Sequence, residues 1–193
     1  ADINSQNQFQ DTPLHLAIVY FKINIVKLLI NDGANINLQN VQGDTPLHDA
    51  VVESEGKLDI IQLLLDAGAY INLQNVQGDT PLHFAIVGEN VELCKLLLHV
   101  GADINLQNVQ GNTPLHHAVR ECNLFIIQLL LDAGADINLQ NFQGDTPIFQ
   151  ILYRQNYNDI PKYDTVKFLI IRGADIDLEN NVGTLLQILM DDP

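Results

Sequence analysis

Ile36-Asn37-Leu38-Gln39-Asn40-Val41-Gln42-Gly43-Asp44-Thr45-Pro46-Leu47-His48 returns almost letter for letter at 71–83 and 104–116, and as INLQNFQGDTPIF at 137–149. A degraded copy runs from Ile3 to His15, and a gapped one from Ile176 to Leu186. The threonine of each Thr-Pro pair marks the period. It stands at 12, 45, 80, 113 and 146, in steps of 33, 35, 33 and 33 residues, with 38 more to Thr184. Self-similarity at such a period marks supersecondary units that cannot bury an apolar face alone and therefore stack.

Composition adds one strong bias. Nine basic residues against 24 acidic ones leave a formal charge of −15. A phosphate-binding surface needs clustered Lys and Arg, so nucleic acid and anionic membrane are excluded as partners. The balance suits a basic protein partner, or serves solubility alone. The two cysteines occupy unrelated repeat positions, which gives no disulfide framework and points to a reducing compartment. No apolar run reaches the length of a membrane span.

The first whole unit, Thr12 to Asn37, reads as two helices and a turn. Thr12 is an N-cap, Pro13 fits the first helical position, and Asp11 complements the positive helix end. Leu14, Ala17 and Ile18 recur at helical spacing. A break near Phe21–Lys22 precedes a second helix, Ile23 to Asn31, which is apolar at five positions in six from Ile25 to Ile30. That breadth exceeds one buried face and predicts helix neighbours on both sides. Gly33 is a left-handed C-cap. The tail Ile36–Asp44 runs out, turns at Val41-Gln42-Gly43, and returns to the next Thr-Pro.

These residues resemble the ankyrin repeat: GxTPLHxA, an apolar LL(L/I), then xGAxIN, at a period of 33, with TPLH intact at 12–15, 45–48, 80–83 and 113–116. The resemblance implies an all-α fold, an α-solenoid of helix-turn-helix units with projecting β-hairpin fingers. First helices and fingers would line a concave binding groove. The chain is then one repeat domain over 1–193. Residues 1–11 are the tail of a truncated repeat, five full repeats span 12–44, 45–79, 80–112, 113–145 and 146–183, and a partial one spans 184–193. The chain is expected to be a fragment with at least one further repeat upstream.

Departures from the repeat are informative. The second repeat inserts Ser54-Glu55. It alone keeps the inter-helix glycine, Gly56, where Phe21, Glu89, Cys122 and Pro161 stand in the other repeats and are expected to strain or reshape the turn. The fifth repeat loses its histidine to Phe149 and carries a long loop, 153–161, before a helix over Asp164–Ile171. The last piece makes one helix from Thr184, apolar throughout and a poor cap.

Catalytic and metal readings fail on spacing. Zinc ligands lie within about 4 Å of one another, whereas stacked helices sit roughly 8–10 Å apart. One histidine per repeat (His15, His48, His83, His116) therefore cannot converge on an ion. Each is expected to be structural, hydrogen-bonded between its helix start and the neighbouring finger. Cys94 falls at a buried apolar position and Cys122 in an inter-helix turn without an orienting acid. The aspartates at 11, 44, 79 and 145 are read as helix-dipole compensation. No phosphate loop or HExxH motif is present, so the chain is read as non-enzymatic and without cofactors or metals.

Surface recognition remains. The finger tips are nearly identical, so specificity is sought where the repeats differ: after the motif histidine (Asp49, Phe84, His117) and at the end of the first helix. Those end positions are the pairs Val19-Tyr20, Val52-Glu53, Val87-Gly88, Arg120-Glu121 and Tyr153-Arg154. From these, Tyr20, Asp49, Glu53, Phe84, His117, Arg120, Glu121, Tyr153 and Arg154 are the candidate partner-binding residues, with Tyr157 on the long loop; aromatics and Arg are enriched in binding hot spots. The reading is a protein-binding module, within a longer scaffold, adaptor or microbial or viral effector. It would act as a monomer in the cytoplasm, or in a host cytosol if secreted. The alternatives are an acidic inhibitor or immunity-type protein masking a basic nuclease or toxin, and an enzyme whose catalytic domain lies elsewhere. The family resemblance also implies β-hydroxylation sites at Asn105 and Asn138, each preceded by an acid and an aliphatic residue.

Overall fold

A computed structural model describes residues 2–52, 58–153 and 159–187. The chain forms two compact units, Ala1–Ala102 and Asp103–Pro193. In the first, three helix pairs follow one another: α1 (Pro13–Val19) with α2 (Ile23–Asn31), α3 (Pro46–Val52) with α4 (Leu58–Asp66), and α5 (Pro81–Val87) with α6 (Val91–His99). The first helices stack in a row, α1 on α3 on α5, and α2 lies on α4. The second unit holds α7 (Pro114–Glu121) with α8 (Leu124–Asp132), then a 3-10 helix (Pro147–Tyr153) packed on α7 and on α9 (Asp159–Ile171).

Helices of seven residues are too short to persist by propensity. These are held by burial and by their caps. Leu14, Leu47, Leu82 and Leu115 are fully buried at matching places, each contributing about 2 kcal/mol. The cap is the motif histidine. His15 Nδ1 accepts the backbone N–H of Thr12 at 3.1 Å, with the Thr12 hydroxyl 2.7 Å from the same nitrogen. Because a backbone N–H can only donate, Nδ1 is bare and Nε2 carries the proton, which goes to the Asp44 carbonyl of the next finger at 3.2 Å. His48 repeats this with Thr45 and Asp79, and His116 with Thr113 and Asp145. The expected structural histidine is therefore a capping box and an inter-repeat tie in one side chain.

The fingers are tight turns, and the described residues contain no strand, only one isolated bridge between Glu179 and Thr184. In the first full repeat's finger, Asn40 N–H donates to Asp44 O at 3.0 Å while Asn40 Oδ1 accepts from Gln42 and Asp44 N–H. The Gln39 amide donates to its own Gly43 carbonyl at 2.7 Å and to the Gln74 carbonyl of the next finger at 3.0 Å. Gly43, at φ +76°, lies so close that a Cβ would stand 2.7 Å from Val76 N. The aspartate row does more than face a helix dipole. Asp11 Oδ1 accepts from Asn40 Nδ2 at 3.2 Å, and Asp44 Oδ1 from Asn75 Nδ2 at 2.8 Å.

Three expectations about departures can be placed. Phe21, Glu89 and Cys122 adopt left-handed backbone, φ +56°, +52° and +54°, as the glycine position requires, and Gln10 does so at a finger (+61°). Pro161, expected in a loop, lies instead within the first turn of α9, where its missing N–H has no helical partner to lose. The broad apolar face predicted for α2 is not buried: only Val26 is, while Ile25 and Leu28 are exposed. By contrast, α4, α6 and α8 each bury three residues.

The fifth repeat shows what the histidine does by lacking it. With Phe149 in its place, the Thr146 hydroxyl is buried without a partner and the helix winds as 3-10, with Phe149 N–H donating to Thr146 O at 3.0 Å. In the last repeat, Gln187 substitutes for the imidazole: its Oε1 accepts Thr184 N–H at 2.8 Å, and its N–H reaches Thr184 Oγ1 at 3.2 Å.

Candidate functional site

What the scaffold leaves unused defines the candidate site. A first helix presents the residue after the motif histidine and, three positions on, the first residue of its terminal pair; i and i+3 share a face. In the first unit these are Asp49 and Val52 on α3, with Val19 from α1 beside them. Together with Phe9 and the finger residues Gln42 and Asp44 they line an open depression of about 400 Å³. Asp11 and Asn40 complete its lining. Val19, Val52 and Phe9 are all about half exposed, so the depression has an apolar rim and three carboxylates.

A depression of about 330 Å³ occupies the equivalent place in the second unit. There Arg120 stands where Val19 does, Tyr153 for Val52, Gln150 for Asp49, Asn112 for Asp11 and Gln110 for Phe9. The Tyr153 hydroxyl donates to Asp145 Oδ2 at 3.0 Å. Partial burial and that neighbouring carboxylate both raise the phenol's pKa. The same scaffold position is thus apolar and acidic in one unit, polar with a guanidinium in the other.

The sequence-selected residues fall into three groups. Asp49, Arg120 and Tyr153 line these depressions. Tyr20 caps α1 and is 66% exposed, but Val19, its neighbour, is the one that faces the depression. Phe84 is half-buried and packs edge-on against His48, ring centroids 5.6 Å apart at 89°, so it supports a capping histidine. His117 is half-buried, 3.4 Å from the Asn108 amide, and Glu121 is half-buried at the end of α7. Glu53, Arg154, Tyr157 and most of the long loop lie outside the described residues. Sequence reading passed over Val19 and Val52 because valine carries no chemistry of its own. The i, i+3 spacing from Leu16 and Asp49 was the signal that would have chosen them.

Three of the motif histidines and one of the cysteines are committed or inert. Both ring nitrogens of His15, His48 and His116 serve backbone groups. Burial pushes all three imidazoles down, His116 to about 4. Cys94 is fully buried, and burial pushes its thiol up to about 12. Asn105 and Asn138 are half-buried and hold the following repeat: Asn105 Oδ1 accepts Asp136 N–H at 2.9 Å, and Asn138 Oδ1 accepts Asp175 N–H at 2.8 Å.

No helix among the described residues is long and apolar enough to cross a membrane. Comparison with protein-family models matches ankyrin repeats (3 copies) over residues 1–75 and, overlapping these, 52–141. No curated protein matches the chain.

Proposed function

The chain belongs to the ankyrin repeat family, whose repeats are generally protein–protein interaction modules, and on that premise we propose that it is a non-enzymatic module binding a protein partner through the face made by its first helices and fingers. One observation carries the reading: of the residues that differ between the two equivalent depressions, Val19, Val52 and Arg120 make no part of the caps, ties and finger ladders, and Tyr153 reaches the ladder only through its hydroxyl on Asp145. Side chains that vary at a fixed scaffold position, open to solvent, supply specificity without altering the fold. Apolar rims and an arginine–tyrosine pair are the materials of interface hot spots.

The test is capture by immobilised protein with quantitative mass spectrometry. Wild type is compared with V19S/V52S/R120S/Y153S and with a control changed on the second helices, Q62S/Q128S. Loss of partners with the first variant and retention with the control is expected. Equal capture by all three proteins would show that the face is wrongly assigned.

A further inference from the structure

We propose that the depression of the first unit takes a cationic side chain, lysine or arginine, from a partner segment whose flanking residues are apolar. This rests on the protein-binding reading above and names the chemistry of its partner.

The wall combines two features that separately mean little. Phe9, Val19 and Val52 hold 53, 44 and 57% of their surface exposed around one hollow. Such clustering on a water-facing surface favours an apolar contact. Inside that rim stand Asp11, Asp44 and Asp49, and no Lys, Arg or His is among the described residues lining it. A long basic side chain satisfies both features at once, its methylenes against the rim and its charged head at the carboxylates.

Two of the three carboxylates, Asp11 and Asp44, are held by neutral donors. Asp11 accepts from the amides of Asn7 and Asn40, and Asp44 from that of Asn75. Amides are neutral donors, so each bond fixes an oxygen and leaves the charge in place. Nor does the ladder need that charge. In the second unit Asn112 fills the same rung, its Oδ1 accepting from Asn141 Nδ2 at 2.7 Å. Gln150 likewise takes the place of Asp49. The chain therefore contains its own neutral replacements, and the hollow that carries them also carries Arg120. The two depressions differ in charge, and only the first is complementary to a cation.

The experiment uses a fluorescein-labelled peptide, Leu-Lys-Val-Arg-Leu-Lys, and measures its affinity by anisotropy against the whole chain. The comparison peptides replace its three basic residues with Glu, or its three apolar ones with Ser. D11N/D44N/D49Q removes the carboxylates using residues the chain already tolerates at those rungs. D32N/D66N/E92Q removes three charges from the second helices. Each exposed pair contributes modestly, so the first variant is expected to bind about tenfold more weakly. The outer-helix variant should bind within about twofold of wild type, and both comparison peptides more weakly than the parent.

Equal weakening by both triple variants would overturn the local site in favour of general attraction to an acidic protein. Retained affinity in D11N/D44N/D49Q alongside its loss in V19S/V52S would overturn the cation and leave the protein-binding face standing. Retention in both would overturn the two readings together.

Discussion

His116 offers a direct measure of how the repeats are tied. Its Nδ1 accepts Thr113 N–H at 3.1 Å and its Nε2–H donates to Asp145 O at 3.0 Å, within a site 1% exposed. A second proton would set a donor against the Thr113 N–H inside a dry contact. Burial accordingly lowers its pKa to about 4 from 6.5. The folded value lies below the unfolded one, so on acidification the unfolded chain takes up the proton first. Stability is unchanged above about pH 6.5, falls as pH drops towards about 4, and levels below that. Between about pH 7 and pH 5 linkage gives a loss of about 2 kcal/mol from His116 alone, and His15 and His48 are shifted the same way. The perturbation is H116Q, for which Gln187 is the chain's own precedent. Urea unfolding followed by circular dichroism at about pH 7, 6 and 5 is the assay. The variant should lose about 1 kcal/mol at neutral pH with the Asp145 bond, while about 2 kcal/mol of the wild-type acid dependence disappears. A wild-type midpoint that does not move over this range, or an H116Q slope equal to wild type, would refute the capping account.

Five further substitutions can be read in the same assay. Thr113→Ala breaks a working cap and should destabilise by about 1–2 kcal/mol, whereas Thr146→Val, which removes a hydroxyl buried without a partner, should be neutral or stabilising. Gly111→Ala places a Cβ 2.6 Å from Phe142 N at φ +79° and should cost about 3 kcal/mol, while Gly33→Ala, left-handed but with nothing within 4 Å, should cost only about 1 kcal/mol. Cys122→Gly relieves a left-handed non-glycine residue at φ +54° and should raise stability by about 1 kcal/mol.

The parts of the fold legible in the sequence were those fixed by neighbours within one repeat. Thr-Pro declares a helix start, and Phe21, Glu89 and Cys122 at glycine positions declare strained turns; both appear as read. The histidine's double role was also legible, since a polar residue recurring among buried ones must have recurring partners. Less legible was anything decided by what lies on the far side. The apolar breadth of α2 looked like that of α4, yet α2 buries one residue where α4 buries three. The aspartate row had a sufficient local explanation in the helix dipole, which concealed the asparagine of the following finger. At the site, aromatic and charged letters drew attention to Tyr20 and Phe84. The helix turn instead sends Val19 into the depression and Phe84 onto His48. Helical spacing counted from the variable residue would have outperformed residue chemistry as a guide.

A repeat chain carries its own control substitutions, and these separate what the fold needs from what it merely contains. Where Phe149 replaces the histidine, the helix changes its winding and leaves an orphan hydroxyl; where Gln187 replaces it, the reciprocal bonds survive. The requirement at that position is a side-chain acceptor for the threonine N–H, not an imidazole. Applied to the finger rung, Asp11 and Asn112 serve alike as acceptors for an asparagine amide. The requirement there is an Oδ1, and a negative charge is surplus to it. Burial or pairing would make such a surplus charge a penalty to be selected against. Lining a solvent-open hollow beside exposed valines, it is free to act on whatever approaches. The acidity of the first depression is therefore a property of its surface rather than of its architecture, and D11N/D44N/D49Q should change what binds there without changing the unfolding midpoint.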